Sequence, residues 1–237
     1  MSEKGSYLKR MDGRTFEGMR EIKAKVGVVP NADGSAMFSF GDTVAIAAVY
    51  GPKQMHPQHM QNPEKGTLRC TYDMLSFSVT ERKKPGPNRR SQEISKVTEW
   101  ALNPVVELDE FPNTVIDVHI LILQANASTR CAGINAASLA LAHAGVPMKE
   151  LVASVSVGKI DQSIVIDVTK KEEDYEEVEA ATDIAMAFTA NSGKLTLLQL
   201  DGHISPEKLK EAVEAGQKAC KEIYEIQKKI LKEVKEI

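Results

Sequence analysis

TVIDVHILILQANASTRCAGINAASLALAHAG, residues 114 to 145, decides the fold of this chain. Residues 114 to 124 are apolar on both faces except at Asp117 and His119, the pattern of a central strand covered on each side, with His119 read as a core histidine. From Cys131 to Ala144 the chain is so rich in Ala, Gly and Ser that a helix built from it can approach a sheet closely. Gly145 supplies its C-cap and Pro147 stops it. Between strand and helix stand Ser128, Thr129 and Arg130. A helix N-terminus exposes unpaired N–H groups and a partial positive charge, so two hydroxyls and an arginine there make a compact anion site. The same residues also fit an ordinary N-cap by Ser128 or Thr129 beside an exposed arginine.

Upstream, the chain reads as antiparallel strands. Ile22, Ala24, Val26 and Val28 share one face of residues 21 to 29, Asp33-Gly34 supplies a turn, and SAMFSF and TVAIAAVY give two more strands. TLRCTYDML alternates Leu68, Cys70, Tyr72 and Met74 with Arg69, Thr71 and Asp73, a half-buried strand with a polar face. Then comes SVTERKKPGPNRRSQEISK, residues 78 to 96, a Gly/Pro-bent loop that carries Arg82, Lys83, Lys84, Arg89 and Arg90 into a helix marked by Ile94, Val97, Ala101 and Leu102. Downstream of 149, LVASVSVG, SIVIDV, DIAMAFTA and KLTLLQL read as strands, and a last helix opens at Ser205-Pro206 with an apolar stripe from Leu209 to Ile230. Strands followed by a helix, twice over, predict an α+β pseudo-repeat.

Of the 237 residues, 42% are hydrophobic and 27% charged, enough apolar material for one large or two small globular domains. No apolar run reaches the roughly 18 residues of a membrane span, and MSEKGSYLKRMDGR lacks the apolar core of a signal peptide, so a soluble, cytoplasmic protein is expected. Cys70, Cys131 and Cys220 stand far apart without a CxxC pair, which argues for buried thiols rather than a disulfide framework or a thiolate zinc site. With a net charge of -3, positive charge is placed in the 78 to 96 loop, not spread. Arginine forks there suit the paired oxygens of a phosphate or a nucleic-acid backbone, although a charge run also fits a solvated surface.

Two further places could carry chemistry. Asp183 opens an apolar strand just after EEDYEEVEA, residues 172 to 180, and reads either as a general acid or metal ligand with its pKa raised by partial burial, or as a surface aspartate closing a loop. The acidic stretch itself reads as a solvated loop, one or two of whose carboxylates could help hold a divalent ion. His56 and His59 have a metal-compatible spacing, but Pro57 interrupts the helix that would present them. No GxSxG, P-loop or GxGxxG motif supports hydrolase, nucleotide-kinase or dinucleotide-binding readings. Aromatic residues are 5% of the chain, which, for any nucleic-acid ligand, favours reading its backbone over stacking on its bases.

The order of RMDGR (10 to 14), ADGSAMFSFGDT (32 to 43), AVYGPKQMHPQH (48 to 59), SFSVTERKKPGPNRRSQEISK (76 to 96), LQANASTRCAGINAASLALAHAGVPM (123 to 148) and VGKID followed by VIDV resembles the ribonuclease PH family. Within it the likeness is to the catalytic ribonuclease PH-like subunit of the archaeal exosome, over about residues 8 to 225. The resemblance implies an α+β fold of two βαβ-type halves, with mixed sheets packed on helices and a long C-terminal helix. Residues 1 to 148 would hold the RNA and phosphate site, and residues 149 to 237 the catalytic aspartate and the terminal helix. It implies 3′-to-5′ phosphorolysis of single-stranded RNA to nucleoside diphosphates, with inorganic phosphate as co-substrate, Mg²⁺ as metal and the reverse tailing reaction accessible.

Carried over by motif, Asp183 is the catalytic aspartate, Ser128, Thr129 and Arg130 form the phosphate-binding turn, and Arg89 and Arg90 grip the RNA. Arg82, Arg69 and His59 lie in segments that resemble RNA-facing ones, and a second acidic, metal-holding position falls on Asp174 or Glu177. The partners implied are a homologous non-catalytic subunit in a hexameric ring and RNA-binding cap proteins, with no membrane. Two other members of the family remain open: a non-catalytic RNA-binding structural subunit, and a homohexamer that trims tRNA 3′ ends. This chain departs from the family's Ala-Asp-Ala-Gly-Thr/Ser-Arg turn, since Asn126 replaces an acid and Ser128 a glycine that could take a positive φ.

Overall fold

The strand read at 114 to 124 is β5 (Thr114–Gln124), and the computed structural model sets it inside a five-stranded sheet. The structure describes residues 7, 9–81, 83–175 and 181–234. The alternating segments ahead of β5 become β1 (Ile22–Val26), β2 (Gly34–Phe40), β3 (Thr43–Gln54) and β4 (Thr67–Met74). Their order is β1-β2-β3-β5-β4, antiparallel except between β4 and β5. That parallel pair needs a crossover, which α1 (Arg89–Leu102) supplies, so β4–α1–β5 is a βαβ unit. The second sheet, of β6 (Val152–Ile160), β7 (Ser163–Ile166), β8 (Thr182–Thr189) and β9 (Leu195–Asp201), has the order β7-β6-β8-β9 and is antiparallel throughout. The α+β class holds, while the βαβ motif occurs in the first half alone among the described residues.

Between the sheets lies α2 (Thr129–His143), which touches β2, β3 and β5 on one side and β6 and β8 on the other. It is buried from Cys131 to Leu141, which is why its sequence is small and apolar all round and not amphipathic. The approach is close: a Cβ on Gly34 of β2 would sit 2.3 Å from the backbone nitrogen of Ala144, so only glycine fits there. Asn135 and Ser138 look misplaced in so apolar a helix. Asn135 exchanges hydrogen bonds with the backbone of Ser154 (2.7 and 2.9 Å), and Ser138 Oγ accepts from the Val152 N–H (3.0 Å). They serve the start of β6 on the side where β7, which pairs only from Val157, gives it no neighbour.

The terminal helix α4 (Pro206–Val234) covers β6, with Ala212, Ala219 and Ile223 buried on the expected stripe. Residues ahead of β1 lie against the second half: Ile166 N–H donates to Phe16 O, and Tyr7 packs with Phe16 and Tyr175 beside Ile160 and Val165. Two expectations change. Along β5, Ile116, Val118, Ile120 and Ile122 are buried, but His119 and Leu121 on the opposite face are exposed, so only one side of that part of the strand is covered and His119 is no core histidine. Glu172, read as part of a solvated loop, lies in the short α3 (Lys170–Glu173) with no exposed surface, held by Arg10 (2.8 Å). A run of acids looks solvated until a distant arginine is brought to it.

Candidate functional site

The start of α2 is built in an unusual way. Ala127 and Ser128 both adopt left-handed backbone, at φ 56° and 54°, where β-carbon-bearing residues are strained. Ser128 occupies the N-cap position, yet its side chain makes no cap hydrogen bond. Its hydroxyl points instead toward Asp167 Oδ1 and Val168 O, each at 3.3 Å. The ordinary N-cap reading of Ser128 therefore fails. The first N–H groups of α2, which have no acceptor within a helix, are left without the usual serine cap. Thr129 and Arg130 follow as the first two residues of the helix.

A second helix start faces the same space. Asn88 caps α1, accepting from Ser91 N–H (2.8 Å), while Ser91 Oγ accepts from Asn88 N–H (2.8 Å). This reciprocal cap puts Arg89 and Arg90 on the first helical turn, where the helix dipole is positive and a cation is disfavoured. Helix stability does not explain two arginines there. The third contributor is Asp183, second residue of β8, which accepts a hydrogen bond from Ser156 Oγ of β6 at 2.7 Å.

Arg90, Ser128, Thr129, Arg130, Ser156 and Asp183 all line one open cleft of about 1150 Å³, together with Glu173, Asp174 and the loop from Phe77 to Glu81. Burial raises the Asp183 carboxyl above its ordinary value; the Ser156 hydrogen bond opposes this, the nearby Glu173 and Asp201 add to it, and Arg130 opposes it. Asp183 thus holds its proton more readily than a surface aspartate does, so it is not merely a residue closing a loop. The side chains of Arg89, Arg90 and Arg130 make no hydrogen bond or ion pair with any described residue. Three arginines without a side-chain partner among the described residues, two of them on the cleft wall, present forks of the kind that suit an anion.

Not every sequence candidate comes to this cleft. Arg69, on β4, is bound by both oxygens of Asp117 (2.6 and 2.9 Å), and His59 sits exposed in a 3₁₀ turn (Gln58–Met60); neither lines the cleft. Arg89 borders α1's start but is not a lining residue. Asp174 lines the wall with its carboxylate held by Lys170 Nζ (2.6 Å). Arg82 and Glu177 lie outside the described residues. Phe77 was missed: it is 74% exposed at the cleft, an aromatic face that overall composition did not reveal. Among the described residues no group of three or more His, Cys, Asp or Glu could hold a metal ion, and no helix is long and apolar enough to cross a membrane.

Comparison with known proteins converges on one family. The model of the 3′ exoribonuclease family matches in two parts, domain 1 over residues 18–147 and domain 2 over residues 150–219. The exosome complex component Rrp41 of Thermococcus kodakarensis is 52% identical over 225 residues, 95% of this chain and 89% of the relative. That of Methanopyrus kandleri is 46% identical over 94% of this chain and 92% of its own length. Among solved structures, rice Rrp46 superposes with a TM-score of 0.82 at 25% identity, over 94% of this chain and all of that one. The Archaeoglobus fulgidus exosome with RNA bound to the active site gives 0.78 at 19% identity, over 92% of each chain, a likeness of fold.

Proposed function

The chain belongs to the 3′ exoribonuclease family, with both ribonuclease PH domains in order, and from that membership we propose that it is the catalytic subunit of an archaeal exosome ring. It shortens single-stranded RNA from the 3′ end by phosphorolysis, releasing nucleoside diphosphates, with the tailing reaction as its reverse. One observation carries this reading: Arg90 and Arg130, whose side chains bind no described residue, share a cleft with Asp183, a carboxyl whose burial raises its pKa above the ordinary value.

In this reading the residues divide the work. Inorganic phosphate sits at the uncapped start of α2, beside Ser128, Thr129 and Arg130, and Arg89 and Arg90 hold the last phosphodiester in line with it. A phosphate oxygen attacks that phosphorus, the new P–O–P bond forms, and the bond to the 3′ oxygen of the preceding nucleotide breaks. The arginines offset the repulsion between two anions. Asp183 gives its proton to the departing 3′ oxygen, leaving a shortened RNA with a 3′ hydroxyl. Because one phosphoanhydride replaces one phosphodiester, the reaction runs in either direction.

Asp183 and Asp174 line the same cleft and would be the carboxylates to hold a Mg²⁺, which takes one or two such ligands with water and substrate phosphates, while Glu177, the other candidate, lies outside the described residues. Such an ion would supply charge stabilisation at the leaving oxygen. The RNA and phosphate site belongs to residues 1 to 148 and the catalytic aspartate to 149 to 237. A homologous non-catalytic subunit completes the ring, RNA-binding cap proteins deliver substrate, and the assembly works in the cytoplasm.

The test is single-stranded RNA incubated with the full chain, with and without a homologous ring subunit, in the presence and absence of inorganic phosphate. Nucleoside diphosphates appearing only with phosphate, and lost in Asp183→Asn, are expected. RNA binding without phosphate-dependent products in any assembly would leave a structural subunit; full activity of the chain alone as a stable hexamer would point to the trimming enzyme.

A further inference from the structure

Asp167 and Arg20 lie outside every motif given a role in the reaction, yet they meet the phosphate turn from behind. Asp167 has no exposed surface. Its Oδ2 accepts from the Arg20 backbone N–H (2.8 Å) and from Arg20 Nε (2.8 Å), and its Oδ1 from Arg20 Nη2 (2.6 Å) and from the Ser128 hydroxyl (3.3 Å). Arg20 Nη1, the remaining corner of the fork, donates to Asn126 O at 2.6 Å. Thr43, fully buried at the head of β3, closes the clamp: its Oγ1 accepts from Asn126 N–H (3.0 Å) and lies within donating distance of Asn126 O (2.9 Å) and Ala127 O (2.8 Å). Asn126 Oδ1 accepts from Lys170 N–H (3.1 Å), which ties the same turn to the second half.

The clamp grips two consecutive residues in left-handed backbone, and Asp167 itself adopts φ 56°. Left-handed backbone at Ala127 and Ser128 is disfavoured for residues that carry a β-carbon, and such conformations persist only when their surroundings over-determine them. Relaxed, the turn would re-aim the start of α2, and with it Arg130. We propose that Asp167, acting through Arg20 and with Thr43, is a positioning residue that holds the strained 126–128 turn so that the open end of α2 and Arg130 present one fixed phosphate site. This rests on the phosphate reading of the cleft given above. None of the three residues touches the anion in this scheme; they act through the turn.

The test is steady-state kinetics of the full chain, in its ring, at varied inorganic phosphate and varied RNA. Arg20→Lys keeps a charge for Asp167 but cannot reach Asp167 and Asn126 O together. Misplacing a reactant by a fraction of an ångström supports an expected rise of about tenfold in the KM for phosphate, with the KM for RNA unchanged. Thr43→Val, close in shape, is expected to act the same way. Ala127→Gly added to either variant relieves the strain directly and is expected to return the phosphate KM toward the starting value, which general destabilisation would not do. Equal shifts in both KM values, or no rescue by Ala127→Gly, would overturn the positioning role while leaving the phosphate reading intact. Phosphate-independent RNA degradation by the unaltered protein would overturn that reading and the inference with it.

Discussion

Arg10, Arg14 and Arg20 bind acceptors inside the protein through every guanidinium nitrogen, whereas Arg89, Arg90 and Arg130 bind none among the described residues. The two sets use one side chain for opposite ends. At the seam, Arg10 meets Glu172 with neither side chain exposed, and Arg14 and Arg20 meet Asp167, so segments far apart in sequence are pinned together. In the cleft the same fork is held open by its setting: Arg90 on a helix start that disfavours it, Arg130 two residues after a serine turned away from its cap position. Paired arginine builds the frame; the arginines unpaired among the described residues are the ones proposed to take the ligand.

The largest way to break this contrast is to exchange the consequences. Glu172→Gln removes the charge that Arg10 needs in a buried place, and unfolding free energy by urea titration is expected to fall by about 3–5 kcal/mol. Arg130→Ala should leave that quantity within about 0.5 kcal/mol while lowering phosphorolysis about 10²- to 10³-fold. Burial alone would raise the Glu172 carboxyl, but hydrogen bonds from Arg10 and the Thr169 backbone hold it below 4.5. Its contribution is therefore present above the unfolded value and is lost as pH falls through the folded one, so the cost of Glu172→Gln should shrink in acid. A destabilised Arg130→Ala would put both arginine sets in the frame.

Asp183 sharpens the cleft side of the comparison. If it is the proton donor, kcat falls about tenfold per pH unit once pH exceeds its raised pKa; an Asp183 that serves only as a metal ligand gives the opposite slope. Its stability signature has a definite sign as well. The folded state binds this proton more readily than the unfolded one, so stability declines as pH rises from the ordinary 3.8 through the raised value. Asp183→Asn removes that decline and is expected to raise the melting temperature near neutrality, the reverse of Glu172→Gln.

How far the two regions could be read in the sequence differs for a physical reason. The strand-to-helix stretch at 114 to 145, the 89–90 arginines and Asp183 are marked by local patterns: periodicity, small-residue content, a loop entering a helix. The seam has no such mark. Arg10 and Glu172 are 162 residues apart, and Asp167 reads as the polar end of an apolar strand. His119 failed because an apolar run does not say which of its faces is covered, and Phe77 because one exposed ring does not register in composition. Asn126 and Ser128 were legible as departures from a motif. What they do, one tied to Lys170 and the other turned to Asp167, depended on contacts from distant segments.

The smallest expected effect lies where seam and cleft meet. Ser128→Gly removes the left-handed penalty of a β-carbon at φ 54°, against which stand the greater backbone freedom of an unfolded glycine and the loss of two long hydroxyl contacts. The left-handed penalty of about 1–2 kcal/mol exceeds the roughly 0.5–1 kcal/mol cost of glycine's added freedom, so a net gain of up to about 1 kcal/mol in unfolding free energy is expected, read as a small rise in melting temperature. A fall instead would mean that the Ser128 hydroxyl contributes more to the seam than its 3.3 Å contacts indicate, and the phosphate turn would then be part of the frame itself. A gain would mark Ser128 as a residue that the Asp167 clamp tolerates, and would locate the boundary between frame and binding site at one hydroxyl.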